Sequence, residues 1–247
     1  MSKWVEGTVV AQKHWAGLLY SLQVEADVAP FQAGQFTKLA LAVDGEIMGR
    51  PYSFVNAPAA RPHEFYYVVL PDHPLTPHLC KLEAGDTVYL APQAAGFLTL
   101  AEVPAGEHLW LLATGTALGP FLSILGTEVP WQRFERVVLV HAVRRAEELS
   151  YQEQIRSLLA RHAGRFVFVP VVSREHSDFA LDGRIPKAIE DGRLEARAGI
   201  KLAAQSSRLM VCGNPAMVAD TVHALQQRGL KKHRRRDPGQ ISVENYW

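Results

Sequence analysis

The chain has 247 residues, 48% of them hydrophobic and 21% charged, with a net charge of +1. That length holds two modest domains or one large one, and the composition supplies a sizeable core. A charge so near zero argues against bulk attraction to nucleic acid or anionic lipid. No run approaches the roughly 20 apolar residues of a membrane span, and residues 1–7 carry no apolar secretion segment, so a cytoplasmic location is expected. Cys80 and Cys212 are far apart and too few for a disulfide framework or an iron–sulfur cluster, and the histidines show no metal-ligand spacing. No metal is expected.

The first hundred residues read as β structure. Gly7–Lys13, Leu18–Val24, Gln35–Val43, Met48–Val55, Glu64–Leu70 and Asp86–Leu90 are short runs rich in β-branched and aromatic residues. Turn signals separate them, among them Ala33-Gly34, Asp44-Gly45, Ala57-Pro58 and Ala84-Gly85-Asp86. Six strands at this spacing predict an antiparallel barrel or sandwich, because closure removes exposed edges. One short helix interrupts them, with Thr76 as its N-cap and Pro77 in its first position.

After Pro104-Ala105-Gly106 buried strands alternate with helices. Leu109–Leu112 leads through Thr114-Gly115-Thr116 into a helix around Pro120, and Val137–Val140 leads into a helix opened by the capping box Ser150-Tyr151-Gln152-Glu153. Phe166–Val172 leads toward a helix at Pro186–Ile189, and Leu209–Cys212 into one that starts at Pro215 and ends at Gly229. Continuous apolar strands between helices predict a doubly wound parallel sheet covered on both faces. The expected division is 1–101 for the β-barrel domain and 102–247 for the α/β domain.

A strand, a glycine turn and a helix, as at Ala113–Pro120, make a corner able to cradle phosphate; by itself this pattern is equally a plain tight turn. In a parallel sheet, ligands bind beyond the carboxyl ends of the strands. There the chain places Gly115-Thr116, Val143-Arg144-Arg145, Ser173-Arg174 and Gly213-Asn214-Pro215, with Arg184 close behind. No acid stands where a ribose diol would be held. Serine with several arginines suits an extra 2′-phosphate, since guanidinium matches phosphate oxygens in a forked geometry. Read singly, each arginine is a solvated loop residue; read as a set, they point to NADP.

Arg50-Pro51-Tyr52-Ser53 in the barrel, Thr114-Gly115-Thr116 with Gly119-Pro120 at the junction, Val211-Cys212-Gly213-Asn214-Pro215 on a late strand and a terminal aromatic occur in that order. Over essentially the whole length the chain resembles the ferredoxin–NADP(+) reductase family, more narrowly its bacterial ferredoxin/flavodoxin type. The resemblance implies an FAD-binding barrel, an α/β domain for NADP(H), and an enzyme passing electrons between NADP(H) and ferredoxin or flavodoxin. Hydride would move to or from flavin N5 and single electrons to or from the protein partner. By position, Arg50 would pair with the flavin pyrophosphate, Tyr52 would pack on the isoalloxazine beside Pro51, and Ser53 would lie near N5. Tyr67, Val68 and Val69, with Pro74, Leu75 and Thr76, would line the ring and the diphosphate, the latter at a helix N-terminus. Thr116 would reach the flavin from the second domain. Val143, Arg144, Ser173, Arg174, Arg184, Asn214, Pro215 and Ala216 would hold NADP, with Cys212 beneath the nicotinamide.

The chain departs from the family pattern at Asp72-His73-Pro74, where a glycine is usual, and at Ala117, which replaces the glycine of a Gly-Thr-Gly form. At the end, Tyr246 would lie against the flavin and Trp247 near the adenine, or the pair would only dock the tail. Glu244 matches a carboxylate of plant-type members and is equally a solvated residue. The basic run Lys231–Arg236 reads as a solvated loop or as a docking site for acidic ferredoxins and flavodoxins, and no nucleic-acid fold accompanies it. A monomer is expected. An NADPH-dependent flavin or ferric-chelate reductase on the same scaffold is the enzyme alternative. A non-catalytic nucleotide sensor is the alternative from another class.

Overall fold

In a computed structural model, residues 3–43 and 45–246 are described. The N-terminal part carries β1 (Val5–Ala16), β2 (Leu19–Glu25), β3 (Phe36–Val43), β4 (Glu46–Ser53), β5 (His63–Val68), the one-turn helix α1 (Thr76–Leu79) and β6 (Thr87–Leu90). Each of the six expected strands is present. They form an antiparallel sheet in the order β4-β3-β6-β1-β2-β5. A bridge from Phe54 to Phe65 joins its two ends and closes the barrel.

Alternation along the strands sorts side chains between two destinations. In β5, Phe65 and Tyr67 enter the barrel core with Leu22, Leu39 and Leu90, while Tyr66 and Val68 face the second half of the chain. Pro51 is tolerated because β4 is a sheet end. Its neighbour across the ladder, Lys38, turns its carbonyl the other way to accept from Ala91, so no β3–β4 bond is asked of the missing proline N–H.

The C-terminal part carries β7 (His108–Thr114), α2 (Leu118–Leu125), α3 (Val129–Arg133), β8 (Arg136–Val143), α4 (Gln152–Arg161), β9 (Phe166–Val172) and β10 (Leu181–Asp182). It continues with α5 (Ile185–Glu190), α6 (Arg193–Ala198), β11 (Ser207–Gly213), α7 (Pro215–Gln227) and β12 (Ile241–Asn245). All pairs in this sheet are parallel, in the order β10-β9-β8-β7-β11-β12. Leu109, Leu111 and Leu139 meet α2 and α4 on one face, and Trp110, Leu112 and Val140 meet α5 and α7 on the other. Both faces are covered, as the unbroken apolar strands required. β10, α3, α6 and β12 add to the expected elements. Among the described residues no helix is long and apolar enough to cross a membrane.

Two expected helix caps are used otherwise. Leu75, not Thr76, is the N-cap of α1; the Thr76 hydroxyl accepts from the Leu70 N–H and donates to the Leu70 carbonyl. The box at Ser150 does not form. Tyr151 takes the N-cap position of α4 with φ 59°, while Ser150 Oγ accepts from the Tyr66 hydroxyl at 2.9 Å. That left-handed backbone is sterically costly for tyrosine, and burial of the ring offsets the strain. The Tyr151 ring packs on Trp15 and Tyr66, and its hydroxyl donates to Glu64 Oε1 at 2.6 Å. These bonds tie the barrel to the α/β half. Ser123 Oγ adds another to the Asn56 carbonyl at 2.8 Å, and Val55, Leu118 and Phe121 share one apolar cluster.

His63 is fully buried between the rings of Phe31 and Phe54. Burial, with the charge of Arg61 adding, lowers its pKa to about 4. The neutral ring contributes stability above the unfolded value near 6.5 that is lost as pH falls toward the folded one. Between those limits this histidine makes stability fall by about 1.4 kcal/mol per pH unit of acidification. Urea unfolding of His63→Leu across this range is expected to show a slope flatter by that amount; an unchanged slope would mean that His63 does not titrate there.

Candidate functional site

The strand order of the parallel sheet reverses at β7, which lies between β8 and β11. Such a reversal leaves a crevice beyond the carboxyl ends of the strands, where ligands bind. After β7 the chain makes a 3-10 turn, Gly115–Ala117, with Gly115 at φ 54° and Thr116 buried. At the end of β11, Gly213 has φ 147°, and a Cβ there would stand 2.1 Å from Thr114 Oγ1 and 2.8 Å from Met217 Cε. Only glycine lets β11 lie this close to the end of β7. Asn214 is occupied as the N-cap of α7, its Oδ1 accepting from the Ala216 and Met217 N–H groups, and Pro215 and Ala216 form the first turn. Its side chain therefore shapes the corner, and the backbone around it is what faces the crevice.

From the barrel, β4 carries Arg50, Tyr52 and Ser53, and Ser53 at its end reaches the seam. Arg50 is exposed and has no carboxylate partner among the described residues; its one side-chain bond is to the Gly49 carbonyl. Its charge acts on both Tyr52 and His73, so these three groups share a corner. His73 Nδ1 accepts from the N–H groups of Leu75 and Thr76 at 3.2 Å each. The helix N-terminus expected to meet a diphosphate is thus already capped by an imidazole. Leu75 is fully buried, Thr76 is turned to Leu70, and Pro74 is the exposed member of that segment. In β5 the Tyr67 ring lies inside the barrel with its hydroxyl donating to Gln12 Oε1, and Val69 is buried, leaving Val68 half-buried. An unpaired guanidinium, the Tyr52 ring and the Ser53 hydroxyl in a row are a donor set that fits a flavin dinucleotide.

The tail completes the seam. β12 pairs with β11 so that Glu244 lies beside Cys212, and the Tyr246 N–H donates to the Gly213 carbonyl. Beyond that point the Tyr246 hydroxyl donates to Ser53 Oγ at 2.9 Å, and its side chain packs against the apolar cluster that contains Cys212. Residues 53, 212 and 246 therefore meet at one place. Burial above all, with the Glu244 charge adding, holds the Cys212 thiol well above its usual pKa, so it is an uncharged thiol. Burial also pushes the Glu244 carboxyl up to about 7. Glu244 is half-buried, and its Oε2 comes near Gly96, where an added Cβ would lie 3.3 Å from it. Trp247 lies outside the described residues.

The arginine loops stand beside this junction. Arg174 N–H donates to the Arg144 carbonyl, and Ser173 donates to the Val143 carbonyl through both N–H and Oγ, so the turns after β8 and β9 are one unit. Glu148 Oε2 accepts from the Arg144 and Arg145 N–H groups, and Glu175 pairs with Arg145. The guanidiniums of Arg144, Arg174 and Arg184 are exposed and have no ion pair among the described residues. Three cations left unneutralised at one rim favour an anion. Sequence reasoning missed His73 as a cap and His141, a lone polar residue in the apolar run of β8 whose Nε2 lies 3.0 Å from the Gly115 carbonyl.

Gly213→Ala is expected to destabilise the protein by about 1–3 kcal/mol, from the positive φ and the collision with Thr114. Chemical denaturation measures this, and an unchanged midpoint would show that β7 and β11 are not locked at this point.

Residues 111–223 match the family model described as an oxidoreductase NAD-binding domain. The chain is 48% identical over 248 residues to the flavodoxin/ferredoxin–NADP reductase of Escherichia coli (strain K12), with all of both chains covered. It is 33% identical to the ferredoxin–NADP reductase of Pseudomonas aeruginosa, over 99% of this chain and 98% of that one. A crystal structure of a ferredoxin NADP+ reductase from Neisseria gonorrhoeae with bound FAD and NADP superimposes over all of both chains at 36% identity, with a TM-score of 0.95. Full-length identity at this level, together with a barrel and a parallel sheet meeting at a shared seam, makes the chain a member of the flavodoxin/ferredoxin–NADP reductase family.

Proposed function

We propose that FAD lies along β4 with its diphosphate at Arg50 and its ring between Tyr52 and the seam, and that NADP(H) crosses the ends of β8, β9 and β11. The chain is a flavoprotein oxidoreductase that passes electrons between NADP(H) and flavodoxin or ferredoxin. FAD, when bound, supplies the exchange between a two-electron hydride donor and one-electron partners, which no side chain can perform. Residues 1–101 form the FAD domain in this reading, and 102–247 the NADP domain with the returning tail.

The observation that carries this reading is the meeting of Ser53, Cys212 and Tyr246 across the seam. Ser53 offers a hydroxyl at the edge of the flavin ring. Cys212, kept uncharged by burial, gives the nicotinamide a small neutral floor. Tyr246 covers the ring face and yields when nicotinamide enters. Arg144, Arg174 and Arg184, with Ser173 and Val143, grip the 2′-phosphate end, while Pro215, Ala216 and the capping Asn214 border the nicotinamide end. Thr116 touches the flavin from the second domain, and the backbone of Tyr67, Val68 and Val69 with Pro74 borders its ribityl and diphosphate chain. His73 gives up its N–H partners at Leu75 and Thr76 if the diphosphate takes them.

The protein partner docks electrostatically. In the basic run Arg235 is held by Glu102 through two bonds and lies over Phe97, and Lys231 pairs with Asp237. Lys232, Arg234 and Arg236 remain exposed, with no ion pair among the described residues. These charges suit an acidic flavodoxin or ferredoxin, and such steering weakens with salt. A cytoplasmic monomer is the form this reading implies.

Replacing Arg174 and Arg184 together by alanine removes two guanidinium–phosphate contacts of about 1.5–3 kcal/mol each. The KM for NADPH is expected to rise about a hundredfold or more, while that for NADH moves less than about threefold. Equal losses for both would remove the 2′-phosphate assignment. Turnover with dyes but none with flavodoxin or ferredoxin would move the activity to a small-molecule acceptor.

A further inference from the structure

β8 runs through the core of the parallel sheet, and His141 is its one polar side chain between Val137 and Val143. The ring is fully buried. By the two-residue period of a strand it shares the face of Val137 and Leu139, the face that packs against α2 and α4. In the parallel register His141 stands beside Ala113 of β7, and two residues beyond Ala113 the chain turns at Gly115.

His141 Nε2 lies 3.0 Å from the Gly115 carbonyl oxygen. A carbonyl only accepts, so the ring nitrogen facing it carries the proton and donates. Nδ1 is buried with no hydrogen-bond partner, and a second proton there would find no acceptor. Burial accordingly lowers the pKa of this histidine to about 4. The ring is a single-proton donor of fixed tautomer.

Gly115 O already accepts from the Leu118 N–H that closes the 3-10 turn. The imidazole adds a second bond, and this one comes from a different strand. It is the side-chain tie from β8 to a turn whose glycine, at φ 54°, has nothing within 4 Å of where a Cβ would be. No side-chain packing at that position holds the turn in place.

We propose that His141 is a positioning residue: its bond to the Gly115 carbonyl fixes the turn that presents Thr116 to the flavin. The inference rests on the reading of Thr116 as the second domain's contact with FAD. It assigns a task in the site to a residue that touches neither nucleotide.

The test compares His141→Leu, which removes the donor, with His141→Gln, whose amide restores one. FAD affinity of the apoprotein is read from quenching of flavin fluorescence, and kcat and KM for NADPH from steady-state rates. In the leucine variant FAD is expected to bind about tenfold more weakly and kcat to fall about tenfold, with KM moved less than about twofold. Glutamine is expected to recover both to within about threefold of wild type. A leucine variant with wild-type FAD affinity and kcat would overturn the proposal, whatever its melting temperature. Equal losses in the two variants would overturn it as well, since the effect would then follow ring volume. Should neither variant fold, nitrogen NMR of the wild-type ring decides, with the proton expected on Nε2 and a proton on Nδ1 contradicting the proposal. Wild-type protein that binds no FAD would overturn the underlying reading, and that result is seen before any variant is made.

Discussion

The hydroxyl of Tyr246 reaches across the molecule to Ser53, and the rest of the architecture exists to make that contact possible. Ser53 ends the last strand of the barrel ladder at β4. Tyr246 follows β12, which adds to the parallel sheet beside β11 and so brings the tail alongside Cys212. For these side chains to meet, the two halves must keep a fixed spacing. The Tyr66–Ser150, Tyr151–Glu64 and Ser123–Asn56 bonds supply that spacing, over an apolar cluster drawn from both halves. An interface this apolar resists the hinge motion expected of loosely joined domains. In the proposed assignment, nucleotides bound in the two halves are then held at one separation, which is what transfer between them needs.

Charge is distributed around that seam by depth. At its centre burial works against charge: it holds the Cys212 thiol well above its usual pKa, lifts the Glu244 carboxyl to about 7 and lowers His141 to about 4. At its rim the cations are left unpaired, with Arg50 on one side and Arg144, Arg174 and Arg184 on the other. In the proposed assignment the cationic rim takes its binding from the phosphates, remote from the reacting atoms. The neighbouring arginine that is neutralised, Arg145, is the one whose acid Glu175 also accepts from the Ala146 N–H and so braces the loop.

Much of this was legible in the residues because the physical signals were local. Short runs rich in β-branched and aromatic residues between turn signals placed the six barrel strands, and unbroken apolar runs placed β7, β8, β9 and β11. The arginines stood out because they follow strand ends, where a parallel sheet opens its crevice. Signals that depend on distant partners were misread. Ser150 and Thr76 have the chemistry of helix caps, yet Tyr66 claims the first and the Leu70 backbone the second. β12 is short and carries Ser242, Glu244 and Asn245, so only its pairing with β11 makes it a strand. His73 capping α1 and His141 under Gly115 needed the fold, although a histidine alone in an apolar strand was a visible anomaly.

Anaerobic titration of the purified protein with NADPH, followed by its absorption spectrum, puts the central claim to the test. The account predicts a yellow protein whose flavin bands bleach with stoichiometric NADPH and return when flavodoxin or ferredoxin is added. A colourless protein that ignores added FAD, or a flavin that NADPH leaves oxidised, would contradict it.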